Sequence, residues 1–342
     1  MQWDRKKGKF IVSLDFELMW GVRDVVTIDN YGEHIRGVHK ALPRILNSFS
    51  KYNIHGTFAA VGFLFFENKK ELLENLPDLK PAYINSKLSP YGDYLKDSLG
   101  PGYPEDTNHY GSHLIKLIQS TPNQEIGTHT FCHYYCLEEG QKIEDFEQDL
   151  RSAINIAAKR GITLRSIIFP RNQVNKKYLP TCWDAGITSY RNNENSWLYT
   201  ARSGDNESLT RRGLRLLDSY INLSGYHCVS WPIIEDGLPV NIPSSRFLRP
   251  YSRNLRMLDT LRLKRIKDSM TYAAKNNLIY HLWWHPHNFG INHEENFAFL
   301  EKILIHYTFL EKKYEFKSCT MSELAGELLK KNINAEVYAG SK

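Results

Sequence analysis

Apolar, β-branched runs recur along the chain and alternate with stretches that have helical periodicity. That periodicity is clearest at residues 34–52, 143–161 and 292–314. Such alternation is typical of parallel strands joined by helical crossovers. With this many units, the sequence predicts an α/β protein whose strands form a closed or partly closed parallel (β/α) barrel. The apolar runs are residues 9–16, 56–65, 124–131, 164–170, 186–191 and 278–285.

Two segments interrupt this alternation. Residues 67–120 are rich in turn-forming residues and predict an insertion that caps one end of the barrel. Residues 199–275 contain a hairpin-like region followed by an arginine-rich stretch, and we interpret them as a basic, partly helical insertion. The sequence has no internal repeat and no low-complexity tract, so residues 1–342 are interpreted as one domain.

Composition narrows the function classes. Lys and Arg number 44 against 38 Asp and Glu, which gives a net charge of +6. This mild excess suits an anionic substrate or a membrane surface, but without a basic tail or nucleic-acid motif we expect no nucleic-acid partner. No apolar run is long enough for a signal peptide or a membrane span, and five scattered cysteines favour reduced thiols. We therefore expect a cytoplasmic protein.

Polar side chains gather where the predicted strands end. In a parallel barrel these ends converge on one face, where active sites form. Asp15 and Glu17 are two residues apart, so on extended backbone both can point to one centre. On a helical turn, His129 and His133 would project from one face and could bind one ion. The strand-end residues are Asp15, Glu17, His129, His133, Arg171, His285 and His287.

This set of residue types predicts a metal-centred hydrolytic site. Histidines and carboxylates that leave one coordination position open suit zinc, or another divalent ion such as cobalt. Such an ion can lower the pKa of bound water from about 15.7 to about 7. A second carboxylate can then accept the proton of the water, and a histidine across the site can protonate a departing amine.

Simpler interpretations apply to similar patterns elsewhere. A histidine pair four residues apart is a weak signal alone, and His109 and His113 repeat that spacing inside the turn-rich insertion. We interpret that second pair as surface or capping residues. Cys132 and Cys136 lack the two-residue gap of a typical zinc site and are interpreted as core thiols. The joint placement at successive strand ends distinguishes His129 and His133.

The motifs at these strand ends resemble a known family, the polysaccharide deacetylases. "IVSLDFE", "THTFCH" and "HLWWHPH" resemble its first, second and last motifs, and "FPRNQ" and "SYRNNENSW" fall in order for the third and fourth. The family is also called the NodB-homology group and is similar to carbohydrate esterase family 4. The resemblance covers about residues 9–197 and resumes at 278, and it implies a distorted parallel (β/α) barrel.

The resemblance implies a role for each matching residue. Asp15 would be the catalytic base and His285 the catalytic acid. Glu17, His129 and His133 would bind the metal ion. The remaining implied positions concern the substrate and the orientation of the base.

Arg171 would orient the catalytic base, and Trp197 would line the substrate pocket. Trp20 is a second candidate for stacking on a sugar ring, because tryptophan presents a large flat apolar face. Asn172 follows Arg171 in the third motif and is a further substrate-binding candidate. His287 is one too, and it is also the alternative to His285 as the acid.

Two departures from the family pattern leave alternatives open. The family has two adjacent aspartates in its first motif, and the second binds the metal. Here Phe16 occupies that position, so Asp15 is the alternative ligand, with Glu17 beside it. The family's third motif is Arg-Pro-Pro-aromatic-Gly, whereas here Arg171 is shifted by one position, which weakens its predicted contact with Asp15.

We therefore expect a metal-dependent hydrolase that removes an N-acyl group from a sugar. An N-acetylated sugar on a lipid or nucleotide carrier, as in O-antigen or capsule assembly, is the expected partner. The alternatives are hydrolysis of a non-sugar amide or ureide bond, and a non-catalytic glycan-binding scaffold. Residues 246–267 could also contact the inner face of a membrane, or form an ordinary solvated helix face.

Overall fold

The computed structural model describes residues 6–199 and 209–340. Nine strands and ten α-helices are described within these ranges. The strands are β1 Lys9–Phe16, β2 Gly56–Ala60, β3 Gln124–Thr128, β4 Ser166–Ile168, β5 Ser189–Arg191, β6 Val240–Asn241, β7 Arg246–Phe247, β8 Ile279–Trp284 and β9 Lys317–Ser318. The helices are α1 Ile28–Tyr52, α2 Lys69–Glu74, α3 Asp93–Asp97, α4 Ser112–Ser120, α5 Ile143–Lys159, α6 Leu179–Asp184, α7 Leu209–Asp218, α8 Asp259–Lys275, α9 His293–Tyr314 and α10 Met321–Gly340.

The sheet is parallel throughout its described pairs and follows the order β6-β5-β4-β3-β2-β1-β8-β7. Strand β9 pairs with the start of β1. One continuous segment links the two ends of this order. Ile242 and Ser244 donate backbone hydrogen bonds to β5 and the residues after it, whereas Ser245 and Leu248 donate to β8. The sheet therefore curls into a distorted (β/α) barrel, as predicted.

Apolar burial explains why these segments form strands and crossover helices. All five residues of β2 are buried, and β1 is buried after its first residue. A parallel strand covered on both faces is expected to be apolar along its whole length. In α1, Ile35, Val38 and Leu42 are among the residues that turn one apolar face toward the sheet, at the spacing of a helix.

The predicted insertions are only partly separate from the barrel. Within residues 67–120, α4 is the crossover helix that precedes β3. The 199–275 segment includes residues 200–208, which lie outside the described residues, and its second half supplies β6, β7 and α8. Within the described part of this segment, β6 pairs with β5 and β7 pairs with β8, so these two strands join the barrel sheet rather than each other.

The arginine-rich stretch 246–267 does not form one solvated face. Arg246, Arg262 and Arg265 are buried, so only the other five of its eight basic residues reach the surface. Within the part of the chain that the structure describes, no helix combines the length and apolarity that crossing a bilayer requires.

Candidate active site

Three buried side chains converge at the carboxyl ends of β1 and β3. The Nε2 atoms of His129 and His133 lie 3.4 and 3.2 Å from the same oxygen, Oε2 of Glu17. One ligand atom from each residue lies within 4.8 Å of the other two. The structure therefore brings together all three residues that the sequence predicts as metal ligands.

The hydrogen bonds of His129 fit a metal ligand. Its Nδ1 lies 2.8 Å from the carbonyl oxygen of Ile168, which can only accept, so Nδ1 carries the proton. The Nε2 lone pair then faces the Glu17 carboxylate. Two electron-pair donors that face each other in a buried site repel unless a cation or a proton lies between them. A backbone carbonyl that fixes the tautomer in this way is typical of metal-binding histidines.

The protonation of the other ligands also suits a cation. Burial lowers the pKa of His133 to about 4, so its ring is neutral at pH 7 and keeps a lone pair. Burial opposes the ionisation of Glu17, but His285 and, when their rings are protonated toward Glu17, His129 and His133 outweigh it and hold the pKa of Glu17 well below its usual value. A carboxylate and two imidazoles form a donor set that zinc commonly accepts.

The loop that carries the two histidines is not the helical turn that the sequence predicts. Thr130 and His133 have positive φ angles of 65° and 63°. The Asp149 carboxylate on α5 accepts backbone hydrogen bonds from Phe131 at 2.7 Å and Cys132 at 3.1 Å. The left-handed residues bend the chain, and Asp149 fixes the bend, so a folded loop places both rings on one centre.

Gly21 leaves room for the Glu17 side chain. A Cβ atom at position 21 would lie 2.0 Å from the Glu17 carboxyl carbon, far inside van der Waals contact. Any larger residue at position 21 would therefore displace Glu17 from the two histidines.

A buried ion pair lies beside the three candidate ligands. The Arg191 guanidinium donates two parallel hydrogen bonds to the Asp15 carboxylate, each 2.7 Å long. It also donates to the Ser13 hydroxyl at 3.0 Å and to Oδ1 of Asn172 at 2.8 Å. Burial opposes the ionisation of Asp15, but Arg191, His129 and other neighbours outweigh it and lower the pKa of Asp15.

The arginine that holds Asp15 is therefore Arg191, and the predicted contact from Arg171 is wrong. Arg171 has a φ angle of 53°, and it directs its guanidinium to Asp24 and over the ring of Tyr135. Arg191 is the last residue of β5. The fifth strand predicted from the sequence, residues 186–191, also ends at Arg191. Because polar residues at strand ends face the site, Arg191 could have been predicted as the partner of Asp15.

His285 and His287 follow β8 and face the same centre. His285 Nε2 lies 3.7 Å from both the Asp15 and the Glu17 carboxylates, and His287 Nδ1 lies 3.7 Å from Glu17. The His285 side chain is 23% exposed, whereas that of His287 is 5% exposed. Burial, with the nearby His285, lowers the pKa of His287 to about 3. Of the two, His285 is the one open to a substrate.

A close helix approach positions these two histidines. A Cβ atom on Gly37 of α1 would lie 1.7 Å from the carbonyl oxygen of Gly290. The absence of side chains at both positions lets α1 pack directly on the turn that carries His285 and His287.

The three remaining residues predicted to bind substrate, Trp20, Asn172 and Trp197, have different surroundings. Trp20 is fully buried and donates its indole N–H to the His109 carbonyl at 2.8 Å, so the prediction that it stacks on a sugar is wrong. Asn172 supports Arg191, as described above. Trp197 is 69% exposed, and its substrate role stays a prediction.

Sequence reasoning also missed two residues that support the Asp15–Arg191 pair. His281 is buried, and its Nε2 lies 2.8 Å from the Ser13 hydroxyl that Arg191 contacts. The Trp283 ring lies 4.2 Å below the Arg191 guanidinium. Both residues belong to β8, which is mostly apolar in sequence. Their contacts with Ser13 and Arg191 could not be predicted without knowing the order of the strands in the sheet.

Comparisons with known proteins agree with this architecture. The chain is similar to a Mycobacterium smegmatis protein assigned to the polysaccharide deacetylases, with TM-score 0.58 and 13% identity over 97% of this chain and 94% of that one. It is similar to a Pseudomonas aeruginosa PAO1 protein with the same assignment, with TM-score 0.54 and 9% identity over 94% and 91%. The chain has the polysaccharide deacetylase fold. The barrel type implied by the sequence motifs is therefore confirmed.

The same comparison shows that the fold alone does not specify the reaction. A 4-alpha-glucanotransferase from Thermococcus litoralis is also similar, with TM-score 0.55 and 13% identity, over 94% of this chain and 40% of that chain. No protein-family model and no curated protein matches the sequence. The side chains of the site, rather than the fold, therefore determine which reaction the protein can carry out.

Proposed function

We propose that the protein is a metal-dependent hydrolase that removes an N-acyl group, N-acetyl in the simplest case, from a sugar. The main supporting observation is the convergence of Glu17, His129 and His133 on one point beside the Asp15–Arg191 pair. When bound there, a divalent ion such as zinc or cobalt supplies a Lewis acid and lowers the pKa of water.

The geometry favours Glu17 over Asp15 as the carboxylate ligand. Both oxygens of Asp15 already accept hydrogen bonds from Arg191, whereas Glu17 faces the two histidines. Asp15 remains beside the centre as an ionised carboxylate of fixed orientation. This division of roles suits Asp15 as the general base that takes a proton from the attacking water.

His285 suits the role of general acid. It lies across from Asp15, and its partial exposure lets it reach a leaving amine. Proton transfer from a positioned imidazole to the amine nitrogen would complete cleavage of the C–N bond. His287 is buried with a strongly lowered pKa, so it suits a positioning role beside Glu17.

The substrate proposal is an N-acylated sugar of a glycan or a glycan precursor carried on a lipid or nucleotide in the cytoplasm. It combines the resemblance of the motifs with the fold of the neighbours assigned as polysaccharide deacetylases. Exposed Trp197 is the candidate for contacting the sugar ring.

The direct test is amine release from N-acetylated oligosaccharides by the metal-loaded protein. We expect turnover by the native protein and a loss of roughly 10²- to 10⁴-fold in kcat for Asp15→Asn, because the substitution removes the base. Asp15→Asn should retain its metal. Loss of the metal in that variant would show that Asp15, rather than Glu17, is the carboxylate ligand. Amine release from simple amides but not from acetylated sugars would show that the substrate is a non-sugar amide.

A further inference from the structure

Three buried arginines on β7 and α8 contact carboxylates. Arg246 and Arg265 are buried and lie 3.4 and 3.5 Å from the Asp218 carboxylate. Arg262 pairs with Asp259 at 2.9 Å. The carboxylates in this region are therefore committed to these three guanidinium groups.

Arg249 is different. Its side chain is partly buried, yet within residues 6–199 and 209–340 no carboxylate lies within 4.0 Å of its guanidinium group, which donates no hydrogen bond to a described residue. Burial lowers the pKa of Arg249; Tyr199 and Tyr220 oppose this shift, whereas Arg215 and Arg246 act in the same direction as burial. A partly desolvated cation beside other cations is stabilised when an anion binds it.

Arg249 lies at the same end of the barrel as the candidate active site. Strand β7 pairs in parallel with β8, and Phe247 is opposite Trp283 in the register. The Phe247 ring lies 4.8 Å from that of Trp283 and 6.0 Å from that of His285. Arg249 follows Phe247 by two residues, so it lies beyond the same barrel end that carries His285.

The backbone around Arg249 is held in place by neighbouring helices. Arg262 of α8 donates hydrogen bonds to the carbonyl oxygens of Arg249 and Pro250 at 2.6 and 2.8 Å. Asn296 of α9 accepts one from the Tyr251 amide at 2.7 Å. The guanidinium is thus presented from a fixed backbone, and this arrangement reduces the entropy lost when a ligand binds.

We propose that Arg249 binds a phosphate group attached to the acylated sugar, and so selects a phosphorylated precursor over a neutral glycan. The proposal rests on the deacetylase function above, because it names a group carried by that substrate. A guanidinium can donate two parallel hydrogen bonds to phosphate oxygens, and its planar fork of donors matches that group. The phosphate can belong to a soluble sugar phosphate or to a lipid carrier.

The test is direct binding of N-acetylglucosamine 1-phosphate, measured by calorimetry on metal-loaded native protein and on Arg249→Ala. We expect binding to weaken roughly tenfold or more in Arg249→Ala, because a charge-assisted bidentate contact is lost. Arg151→Ala removes an exposed arginine paired with Glu147 on α5 and should bind as the native protein does. Equal affinity of native protein and Arg249→Ala for every phosphate probe would overturn the proposal.

Further probes separate the sources of phosphate. Vesicles that contain a polyprenyl phosphate replace the soluble sugar phosphate, and Arg249-dependent binding to the vesicles alone would assign the phosphate to a lipid carrier. Glucuronic acid is the carboxylate control, and Arg249-dependent binding as tight as that of the sugar phosphate would contradict the phosphate assignment.

His129→Ala distinguishes this proposal from the deacetylase function. The variant should lose the metal ion but retain Arg249-dependent phosphate binding. Phosphate binding without amine release from any acetylated sugar would refute the deacetylase function while leaving the anion site established. Amine release without Arg249-dependent phosphate binding would support the deacetylase function and refute the phosphate site at Arg249.

Discussion

Two histidine pairs with the same spacing have opposite surroundings in this protein. His129 and His133 converge on a single oxygen of Glu17 from a loop at the barrel end. His109 and His113 also lie four residues apart, but each has a separate neutral or acidic partner. The spacing of two histidines therefore does not identify a metal site. A metal site is indicated instead when the nitrogen atoms of both rings face the same carboxylate oxygen.

Each histidine of the second pair contacts a different partner within the protein. His109 is fully buried, with Nδ1 2.8 Å from Asp106 and Nε2 2.8 Å from the Tyr94 hydroxyl. His113 lies 3.0 Å from His39 and stacks on Tyr103. His109 is therefore not a surface residue, because it belongs to a buried hydrogen-bond network within residues 67–120.

The largest expected effect comes from removing one histidine of each pair. His129→Ala should abolish bound metal and turnover, because two remaining ligands do not hold a catalytic ion tightly. His109→Ala should keep the metal. Elemental analysis of both purified variants checks this prediction, and equal metal loss in the two would remove the distinction between the pairs.

The next effect concerns the ion pair beside the first histidine pair. Arg191→Ala leaves Asp15 buried without its partner and should lower the free energy of unfolding by about 3–5 kcal/mol. Arg171→Ala removes a partly exposed arginine from Asp24 and serves as the matched control, with a smaller loss. Chemical denaturation measures both, and a larger loss for Arg171→Ala would reverse the assignment.

A smaller effect is expected within the cap. His109→Ala leaves the Tyr94 hydroxyl without its imidazole partner and removes one of the hydrogen bonds of Asp106, which keeps its backbone donors. The substitution should cost about 1–3 kcal/mol of unfolding free energy. Thermal and denaturant unfolding curves of the metal-loaded variant report this loss. An unchanged stability would mean that the buried network does not contribute to the fold.

The smallest expected effect concerns the loop that carries the metal-site pair. Asp149→Asn keeps the shape of the side chain but replaces one of the two acceptor oxygens by a donor, so one backbone amide loses its partner. We expect metal affinity to fall by roughly 10- to 100-fold, as for other groups that orient ligands. Chelator competition gives the affinity, and native-like binding would show that the loop holds its shape without Asp149.

Much of the fold was predictable because strand and helix periods differ. The segments that form β1, β2, β3 and β8 are recognisable in the sequence as apolar runs. Because polar residues at the ends of parallel strands face the active site, Glu17, His129, His133 and His285 could be predicted from those runs. The two-residue strands β6 and β7 were not predictable, because their pairing depends on partners far away in sequence.

Side-chain direction in turns limited the prediction of the site. Arg191 is the last residue of β5 and Arg171 lies shortly after β4, but the left-handed backbone at Arg171 turns its side chain away from Asp15. Trp20 was expected to contact substrate, yet a turn after β1 directs it into the core. Such local backbone reversals depend on tertiary contacts and leave little trace in the sequence.

We infer that one ion binds between Glu17, His129 and His133. Anomalous diffraction from a crystal of the zinc-loaded protein tests this inference most directly. We expect a single strong peak about 2.0–2.2 Å from Glu17 Oε2 and from Nε2 of both histidines. A peak between His39 and His113, or none at the barrel end under saturating zinc, would contradict it.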